Sequence, residues 1–245
     1  GLSSLWTRFP VELRRFDAIF TVFGPFYRLG PAGHSIMGFA QPWIAYPSNE
    51  MYSRMGPIRK GLTRAKYQVQ SLFFRRASTL IVEQLHVEES LMSQRLFRNT
   101  PIRVVANAVD PVHFDPESWE PVELPPSTAA LHLGLVSRNY PHKNLEILPR
   151  VKNELLTNFG VDADFFVTLT EEEWNESSPA FRSFVRNVGP LRMTQSPSFN
   201  HQMDAIVFPS LLECYSATPI EALAAGTPLI ASDRDFVRET VGQHA

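Results

Sequence analysis

The chain has 245 residues, of which 44% are hydrophobic and 20% charged, a globular composition that excludes disorder, collagen and coiled coil. Its formal net charge of -2 conceals an asymmetry, because residues 1–110 carry 14 basic and 7 acidic side chains whereas residues 111–245 carry 9 and 18. A single cysteine, Cys214, excludes an intrachain disulfide and favours a reducing compartment. No apolar run reaches the about 18 residues that a spanning helix needs, so we expect a cytoplasmic protein.

Short apolar runs alternate with helix-like segments along most of the chain. In the first part we predict strands at 17–23, 34–39, 79–82 and 103–106 and helices at 64–74 and 88–97. In the second part we predict strands at 131–136, 164–170, 204–209 and 229–231 and helices at 145–159, 180–185 and 219–225. Pro149 predicts a late start or a kink in the helix at 145–159. Continuous apolar strands that alternate with helices indicate parallel sheets covered on both faces, hence two Rossmann-like α/β domains.

A proline-rich acidic segment separates the two series of elements. Residues 111–129 contain five prolines and four acids and no basic residue. We therefore predict one domain at 1–110, an interdomain linker at 111–129 and a second domain at 130–245. The chain lacks an initiator Met and stops just after a helix-like pattern, so we expect a fragment in which both domains are truncated.

The most informative segment lies between two glutamates, Glu213 and Glu221, directly after the strand predicted at 204–209. Ligands of open parallel sheets bind beyond the carboxyl ends of the strands, so a site is expected there. Thr218 as N-cap and Pro219 at the first helical position would leave free amides for an anion. Spacing alone favours a structural alternative, in which Thr218 and Glu221 form a capping box. Gly226 is explained as the left-handed end of this helix.

A second group of polar residues follows the strand predicted at 131–136. Arg138 and Lys143, five residues apart in a strand-to-helix loop, could hold a diphosphate, with the arginine bidentate and the lysine as a point charge. Two basic residues in a loop are more often simply solvated. Their position at the same sheet edge as Glu213 and Glu221 favours the functional interpretation.

Four segments, in the expected order, resemble glycosyltransferase family 4, the glycosyl transferases group 1. They are V-V-A-N-A-V-D-P-V-H-F at 104–114, the R-x4-K pair Arg138 and Lys143, the E-x7-E pair Glu213 and Glu221, and E-A-L-A-A-G-T-P at 221–228. The resemblance covers roughly residues 70–240. It implies the GT-B architecture, with 1–110 as the later part of an acceptor-side domain and 130–245 as an incomplete donor domain.

The resemblance also implies a role for each site residue. Arg138 and Lys143 would bind the donor diphosphate, and the amides near Ser216, Ala217 and Thr218 would hold its distal phosphate. Glu221 would bind the ribose hydroxyls, and Glu213, the candidate catalytic residue, would contact hydroxyls of the transferred sugar. Backbone near Val188 and Gly189 would contact the nucleotide base.

The activity implied is transfer of a hexose-type sugar from a nucleotide-diphosphate sugar to a glycan or lipid-linked acceptor. The family implies retention of configuration. A dianionic diphosphate leaves, and cationic side chains with a helix N-terminus can stabilise that charge, so neither a metal nor a cofactor is expected. Two alternatives stay open: a non-catalytic nucleotide-sugar-binding module, and a nucleotide-sugar epimerase, which the E-x7-E pair disfavours.

The chain departs from the family pattern in two places. Cys214 and Ser216 stand where the family often has the glycines of E-G-F-G. The N-terminal domain commonly has a histidine near positions 39–41, where this chain has Phe39, Ala40 and Gln41, and His34 is better explained as structural.

Two further patterns are weaker. Asp162-x-Asp164 and Asp233-x-Asp235 are D-x-D patterns, which bind metal in the other glycosyltransferase architecture, but their positions beside strands favour structural roles. Residues 52–76 contain seven basic residues and no acid, interleaved with apolar ones. This segment either lies on the inner face of an anionic membrane or forms a solvated helix face or cleft wall. No motif accompanies the charge that would indicate nucleic acid.

Overall fold

The computed structural model describes residues 16–27 and 34–242, which fall into two α/β units. The N-terminal unit extends to Asn107 and includes a short distant segment, Leu212–Tyr215; the C-terminal unit comprises Ala108–Leu211 and the residues from Ser216 onward. The boundary near residue 107 lies close to the predicted one at 110. The division differs from the predicted one in two ways. Residues 111–129 belong to the C-terminal unit, and Leu212–Tyr215, predicted in the second domain, belongs to the N-terminal unit.

The N-terminal unit is built on a four-stranded parallel sheet. Its strands, in the spatial order β1-β2-β3-β4, are β1 (Ala18–Thr21), β2 (His34–Gly38), β3 (Thr79–Val82) and β4 (Ile102–Val104). Its helices are α1 (Pro42–Ala45), α2 (Pro57–Phe74) and α3 (Leu85–Ser93), with a 3-10 turn at Glu50–Arg54. All four predicted strands are confirmed, with shorter ends.

The predicted helix bounds in this unit need correction. Helix α2 starts at Pro57, seven residues before the predicted start, because proline is pre-organised for the first helical position and Gly56 before it is extended. Helix α3 ends at Ser93 rather than at 97. Gln94 leaves the helical conformation there, and its side-chain amide donates to the carbonyls of Ile44 and Ala45.

Aromatic rings form the centre of the N-terminal core. The ring of Phe39 packs edge-on against Phe74 and Phe97, with centroid distances of 4.8 and 6.5 Å. All three rings are fully buried. Cys214 is a member of the same core, which explains why Leu212–Tyr215 belongs to this unit.

The C-terminal unit is built on a five-stranded parallel sheet. Its strands are β5 (Leu131–Leu135), β6 (Ala163–Val167), β7 (Val185–Asn187), β8 (Ala205–Phe208) and β9 (Leu229–Ala231). Its helices are α4 (Leu148–Phe159), α5 (Glu171–Glu176), α6 (Pro179–Phe184), α7 (Ser196–His201), α8 (Ala217–Ala224) and α9 (Asp235–Val241). The spatial order β7-β6-β5-β8-β9 is that of a Rossmann-like half, and the strand order reverses between β5 and β8.

Both faces of this sheet are covered, as the continuous apolar strands predicted. Every residue of β6 is buried. Adjacent side chains of a strand point to opposite faces, and accordingly Phe165 packs with Leu148 and Phe181 whereas Phe166 packs with Phe199 and Ile206. The predicted fold class, two parallel-sheet α/β domains, is confirmed.

Three short elements of this unit, β7, α5 and α7, are absent from the prediction, because three to six residues carry too little periodicity. The prediction from Pro149 is confirmed: a 3-10 turn, Leu145–Ile147, precedes α4, and the proline lies in the first turn of the helix. None of the described helices is long and apolar enough to span a lipid bilayer.

The segment predicted as a linker is held against the C-terminal unit. Two 3-10 turns, Pro111–Phe114 and Pro116–Ser118, are followed by Trp119, whose indole donates to the carbonyl of Val112 at 2.7 Å and packs 4.8 Å from the ring of His201. Val122 is buried in the same cluster as Phe199. These contacts fix the predicted linker residues by packing.

Candidate functional site

The loops that follow β5 and β8 meet at the point where the strand order of the C-terminal sheet reverses. The amide of Leu211 donates to the carbonyl of His142 at 2.8 Å, and the hydroxyl of Ser210 donates to the same oxygen at 3.2 Å. Open α/β sheets bind ligands in the crevice at such a switch point. The two loops therefore frame the expected position of a ligand.

Lys143 is positioned by both of these loops. It ends a 3-10 turn, Pro141–Lys143, and its Nζ lies 5.5 Å from the ring centroid of Phe208, the last residue of β8. Asn144, the next residue, has a left-handed conformation with φ of 58°. The chain turns sharply at Asn144 and continues toward α4.

Arg138 is held by a glutamate that follows the neighbouring strand, β6. Its Nε donates to Oε1 of Glu173 at 2.8 Å, and the amide of Asn139 donates to the same oxygen at 3.1 Å. The other oxygen of Glu173 accepts from the amide and hydroxyl of Thr170 in a capping box at the start of α5. The Arg138 side chain is still 57% exposed.

These contacts determine the charge of Glu173. Partial burial acts to raise its pKa, but the hydrogen bonds from Arg138, Thr170 and Asn139 outweigh burial and hold the pKa below its ordinary value. Glu173 was not among the residues predicted for the site. The pattern Thr170-x-x-Glu173 was a signal that could have located the helix start, although nothing local pointed to Arg138.

The start of α8 differs from the prediction. Ser216 is the N-cap residue, extended at φ -145°, and the helix begins at Ala217 rather than at Pro219. The hydroxyl of Thr218 donates to the carbonyl of Val136, the residue that follows β5, at 3.3 Å. Thr218 is thus neither the N-cap nor half of a capping box, and its bond ties the first turn of α8 to the loop that carries Arg138.

Glu221 lies one turn further along α8, beside the predicted linker. Its side chain is 16% exposed, and Oε1 is 3.7 Å from Nε2 of His113, whose side chain is fully buried. Burial, and then the nearby charge of Asp110, raise the pKa of Glu221. Burial lowers the pKa of His113, which outweighs the opposite effect of Asp110.

Glu213 belongs to the N-terminal unit, within the segment Leu212–Tyr215. It is 8% exposed and is followed by Cys214, which is 5% exposed. Burial, and then the charges of Glu213 and Glu83, raise the pKa of the Cys214 thiol well above its ordinary value. Cys214 is therefore a buried residue of the N-terminal core. The role of Glu213 toward the transferred sugar stays a prediction.

The remaining predicted positions are backbone features. Val188 and Gly189 follow β7, at the edge of the C-terminal sheet; the amide of Val188 donates to the carbonyl of Val167 at 2.8 Å, and Gly189 has φ of +87°. In the N-terminal unit, Gln41 occupies the N-cap position of α1, just after β2.

The D-x-D patterns have structural partners. Both carboxylate oxygens of Asp164 are engaged, by Lys152 at 2.6 Å and by Arg186 at 2.5 Å. Asp233 pairs with Arg238 at 2.7 Å. Within residues 16–27 and 34–242, no three His, Cys, Asp or Glu side chains are grouped as metal ligands.

Comparisons with known proteins identify a family and several relatives that the chain resembles. Residues 185–245 match the family model described as glycosyl transferases group 1. Two glycogen synthases, from the CDC 1551 / Oshkosh and H37Rv strains of Mycobacterium tuberculosis, are 26% identical over 193 residues, which cover 76% of this chain and 45% of each relative. The chain therefore spans about half the length of the curated relatives it matches.

Solved structures share the fold at low identity. Sucrose-phosphate synthase from Thermosynechococcus elongatus superposes with a TM-score of 0.65 at 16% identity, over 93% of this chain and 58% of that one. The pneumococcal O-GlcNAc transferase GtfA, solved with UDP and GlcNAc, has a TM-score of 0.52 at 14% identity, over 85% and 44%. A trehalose-6-phosphate synthase, OtsA, has a TM-score of 0.56 at 11% identity, over 85% and 54%.

The fold is that of the GT-B glycosyltransferases, two parallel-sheet α/β units, with the strand order of the C-terminal sheet reversing between β5 and β8. The family match over residues 185–245, together with the glycogen synthase relatives, confirms the resemblance of this chain to the glycosyl transferases group 1.

Proposed function

We propose that the protein is a hexosyltransferase that takes its sugar from a nucleoside diphosphate sugar and passes it to a glycan or lipid-linked acceptor, with retention and without a metal. The observation that carries the proposal is the hydrogen bond from the hydroxyl of Thr218 to the carbonyl of Val136, which ties the first turn of α8 to the loop bearing Arg138 and Lys143. Glu221 lies one turn further along the same helix.

The arrangement suits a diphosphate that must leave. The Nε of Arg138 is engaged by Glu173, which leaves the terminal nitrogens of an exposed guanidinium for a phosphate. The amides in the first turn of α8 have no partner within the helix and can donate to an anion. These groups would stabilise the charge that develops on the departing diphosphate and so lower the barrier.

The local character of these groups matters because the surrounding unit is acidic. Residues 111–245 carry 9 basic and 18 acidic side chains, so the overall field opposes an anion. Binding must therefore come from short-range contacts with Arg138, Lys143 and the amides of α8. Such binding should weaken steeply when one of the two cationic side chains is removed.

The relatives suggest the first donors to test. The O-GlcNAc transferase GtfA was solved with UDP, and a trehalose-6-phosphate synthase from E. coli with UDP-2-fluoro glucose. We therefore propose UDP sugars as the first panel, with GDP and ADP sugars beside them.

The binding test uses the full chain and calorimetric titration with UDP. Arg138→Ala and Lys143→Ala should each weaken binding by about tenfold, the loss typical of one charge-assisted hydrogen bond. Arg150→Ala, an exposed arginine of α4, is the matched control and should bind UDP as the unchanged chain does. Equal affinities in all four proteins would refute the proposed donor site.

Transfer is tested separately from binding, since a non-catalytic nucleotide-sugar-binding module would pass the binding test. Glu213 is proposed to contact the transferred sugar and to steady positive charge at its anomeric carbon. Glu213→Gln in the longest available protein that contains this chain should keep UDP affinity and lose sugar transfer. Full transfer activity in that variant would remove Glu213 from the mechanism.

One face of α2 supports an acceptor at a lipid surface. Four large apolar side chains, spaced at four, seven and three residues, fall within about 80° of the helix circumference. They are Ile58, Leu62, Val69 and Leu72, which are 79%, 69%, 53% and 49% exposed. A solvated helix face would not carry such a stripe.

Basic residues accompany this stripe, and α2 contains no acidic residue. Arg59 and Lys66 flank one side of it, which gives the face the composition of a helix that lies on anionic lipid. We therefore propose peripheral contact with a membrane through residues 52–76. The chain should sediment with vesicles of about 30% anionic lipid. Leu62→Glu should abolish this sedimentation and Glu50→Gln should retain it, and equal sedimentation of the two variants would refute the membrane contact.

A further inference from the structure

His113 is a buried polar side chain with no hydrogen-bonding partner in the described structure. Its side chain is fully buried, and neither Nδ1 nor Nε2 has a hydrogen bond within residues 16–27 and 34–242. Buried polar atoms are nearly always paired, because each unpaired one loses its interaction with water. Two unpaired nitrogens on one ring therefore require an explanation.

The surroundings of His113 leave one acceptor within reach. It lies in the 3-10 turn Pro111–Phe114, whose N-cap, Asp110, uses its own carboxylate to accept the amide of Val112 at 2.9 Å. The nearest carboxylate oxygen to Nε2 is Oε1 of Glu221, at 3.7 Å. That separation is a few tenths of an ångström beyond a hydrogen bond.

Both groups are poor candidates for a standing ion pair. Burial lowers the pKa of His113, and burial and then the charge of Asp110 raise the pKa of Glu221, so both changes oppose the charged forms that an ion pair needs. A neutral imidazole with its proton on Nε2 is a hydrogen-bond donor. Such a donor, placed behind a carboxylate that binds two vicinal hydroxyls, fixes the orientation of the carboxylate plane.

We propose that His113 is the positioning residue for Glu221, donating its Nε2–H to the carboxylate that holds the ribose hydroxyls of the donor nucleotide. The proposal rests on the proposed function of Glu221. In this role the ring closes the 3.7 Å separation when the nucleotide engages Glu221 from the open side, where the carboxylate is 16% exposed. His113 thus belongs to the donor site although it lies 108 positions before Glu221 in the chain.

The test separates ribose recognition from the rest of nucleotide binding. Calorimetry measures the affinity of the full chain for UDP and for 2′-deoxy-UDP, with the matching GDP and ADP pairs. The unchanged chain should prefer the ribonucleotide by about tenfold, as expected for one good hydrogen bond. His113→Phe, which keeps a ring and removes the donor, should reduce that preference to about twofold and leave 2′-deoxy-UDP affinity unchanged.

Two further variants distinguish positioning from a purely structural role. His113→Gln, which places an amide donor near the position of Nε2, should restore most of the preference. His201→Phe, which alters the histidine packed on Trp119 in the same unit, should leave it unchanged. Combining His113→Phe with Glu221→Gln should lower the preference no further than Glu221→Gln alone, because both act on one contact.

The outcomes are distinct for the two proposals. If His113→Phe weakens the binding of UDP and 2′-deoxy-UDP equally, or leaves the preference for UDP unchanged, the proposed role of His113 is wrong and the proposed donor site is unaffected. Absence of binding to every nucleotide by the unchanged chain overturns the proposed function and the role of His113 with it. Loss of the preference in His113→Phe with its return in His113→Gln supports the assignment.

Discussion

The ion-pair network of Asp164 permits a prediction with a magnitude. This carboxylate accepts from Lys152 at 2.6 Å, from Ser127 at 2.6 Å and from Arg186 at 2.5 Å, and its side chain is only 5% exposed. Burial acts to raise its pKa, but these three bonds outweigh burial and lower the pKa from 3.8 to about 2. The lowered pKa corresponds to about 2 kcal/mol of stability at neutral pH.

The sign of the pH dependence follows from the direction of that change. Because the carboxyl loses its proton more readily in the folded chain, its contribution is complete above the unfolded pKa of 3.8 and is lost as the pH falls toward 2. Asp164→Asn should therefore reduce the free energy of unfolding by about 2 kcal/mol at pH 7, and by progressively less below pH 4.

Urea denaturation followed by circular dichroism at pH 7, 5, 4 and 3 measures both quantities. Asp162→Asn, two residues earlier and exposed, is the matched control and should change stability by less than about 0.5 kcal/mol. A loss below about 0.5 kcal/mol for Asp164→Asn at pH 7, or a loss that is constant down to pH 3, would refute the reasoning. Either result would mean that the three partners do not stabilise the charged form.

Three further predictions concern the core, the loop that carries Arg138, and the buried thiol. A methyl group at Gly134 would lie 2.6 to 2.9 Å from three core side chains, so Gly134→Ala should lower the free energy of unfolding by about 1–3 kcal/mol, and an unchanged urea midpoint would contradict that packing. Glu173→Gln keeps a capping side chain but removes the charge that holds Arg138, so the dissociation constant for UDP should rise about three- to tenfold. The control variant Glu172→Gln should leave that dissociation constant unaltered. Burial raises the pKa of the Cys214 thiol, so the folded chain should resist a thiol reagent at pH 8 and react only in denaturant. Mass spectrometry detects the adduct, and rapid modification of the folded chain would contradict the prediction.

Local patterns were sufficient for the strands but not for every helix. Eight of the nine strands in the part of the chain that the structure describes were predicted, because apolar runs bounded by turn residues are a local property of the chain. Pro219 suggested a helix start that the structure places at Ala217. Thr218 suggested a cap, although its hydroxyl donates to the carbonyl of Val136, the residue after β5. A hydroxyl with a distant partner cannot be distinguished by spacing from one that caps its own helix.

The sequence by itself determined the alternation of strands and helices, the two Rossmann-like series and the motifs that resemble a glycosyltransferase family. Each of these depends on residues near one another in the chain, where periodicity and spacing carry the information. Only the tertiary structure decided which separate segments meet. The strand order β7-β6-β5-β8-β9 brings the loop of Arg138 to the first turn of α8, and packing of the predicted linker brings His113 to Glu221. Such contacts depend on how a sheet orders its strands and buries its faces, which no local spacing encodes.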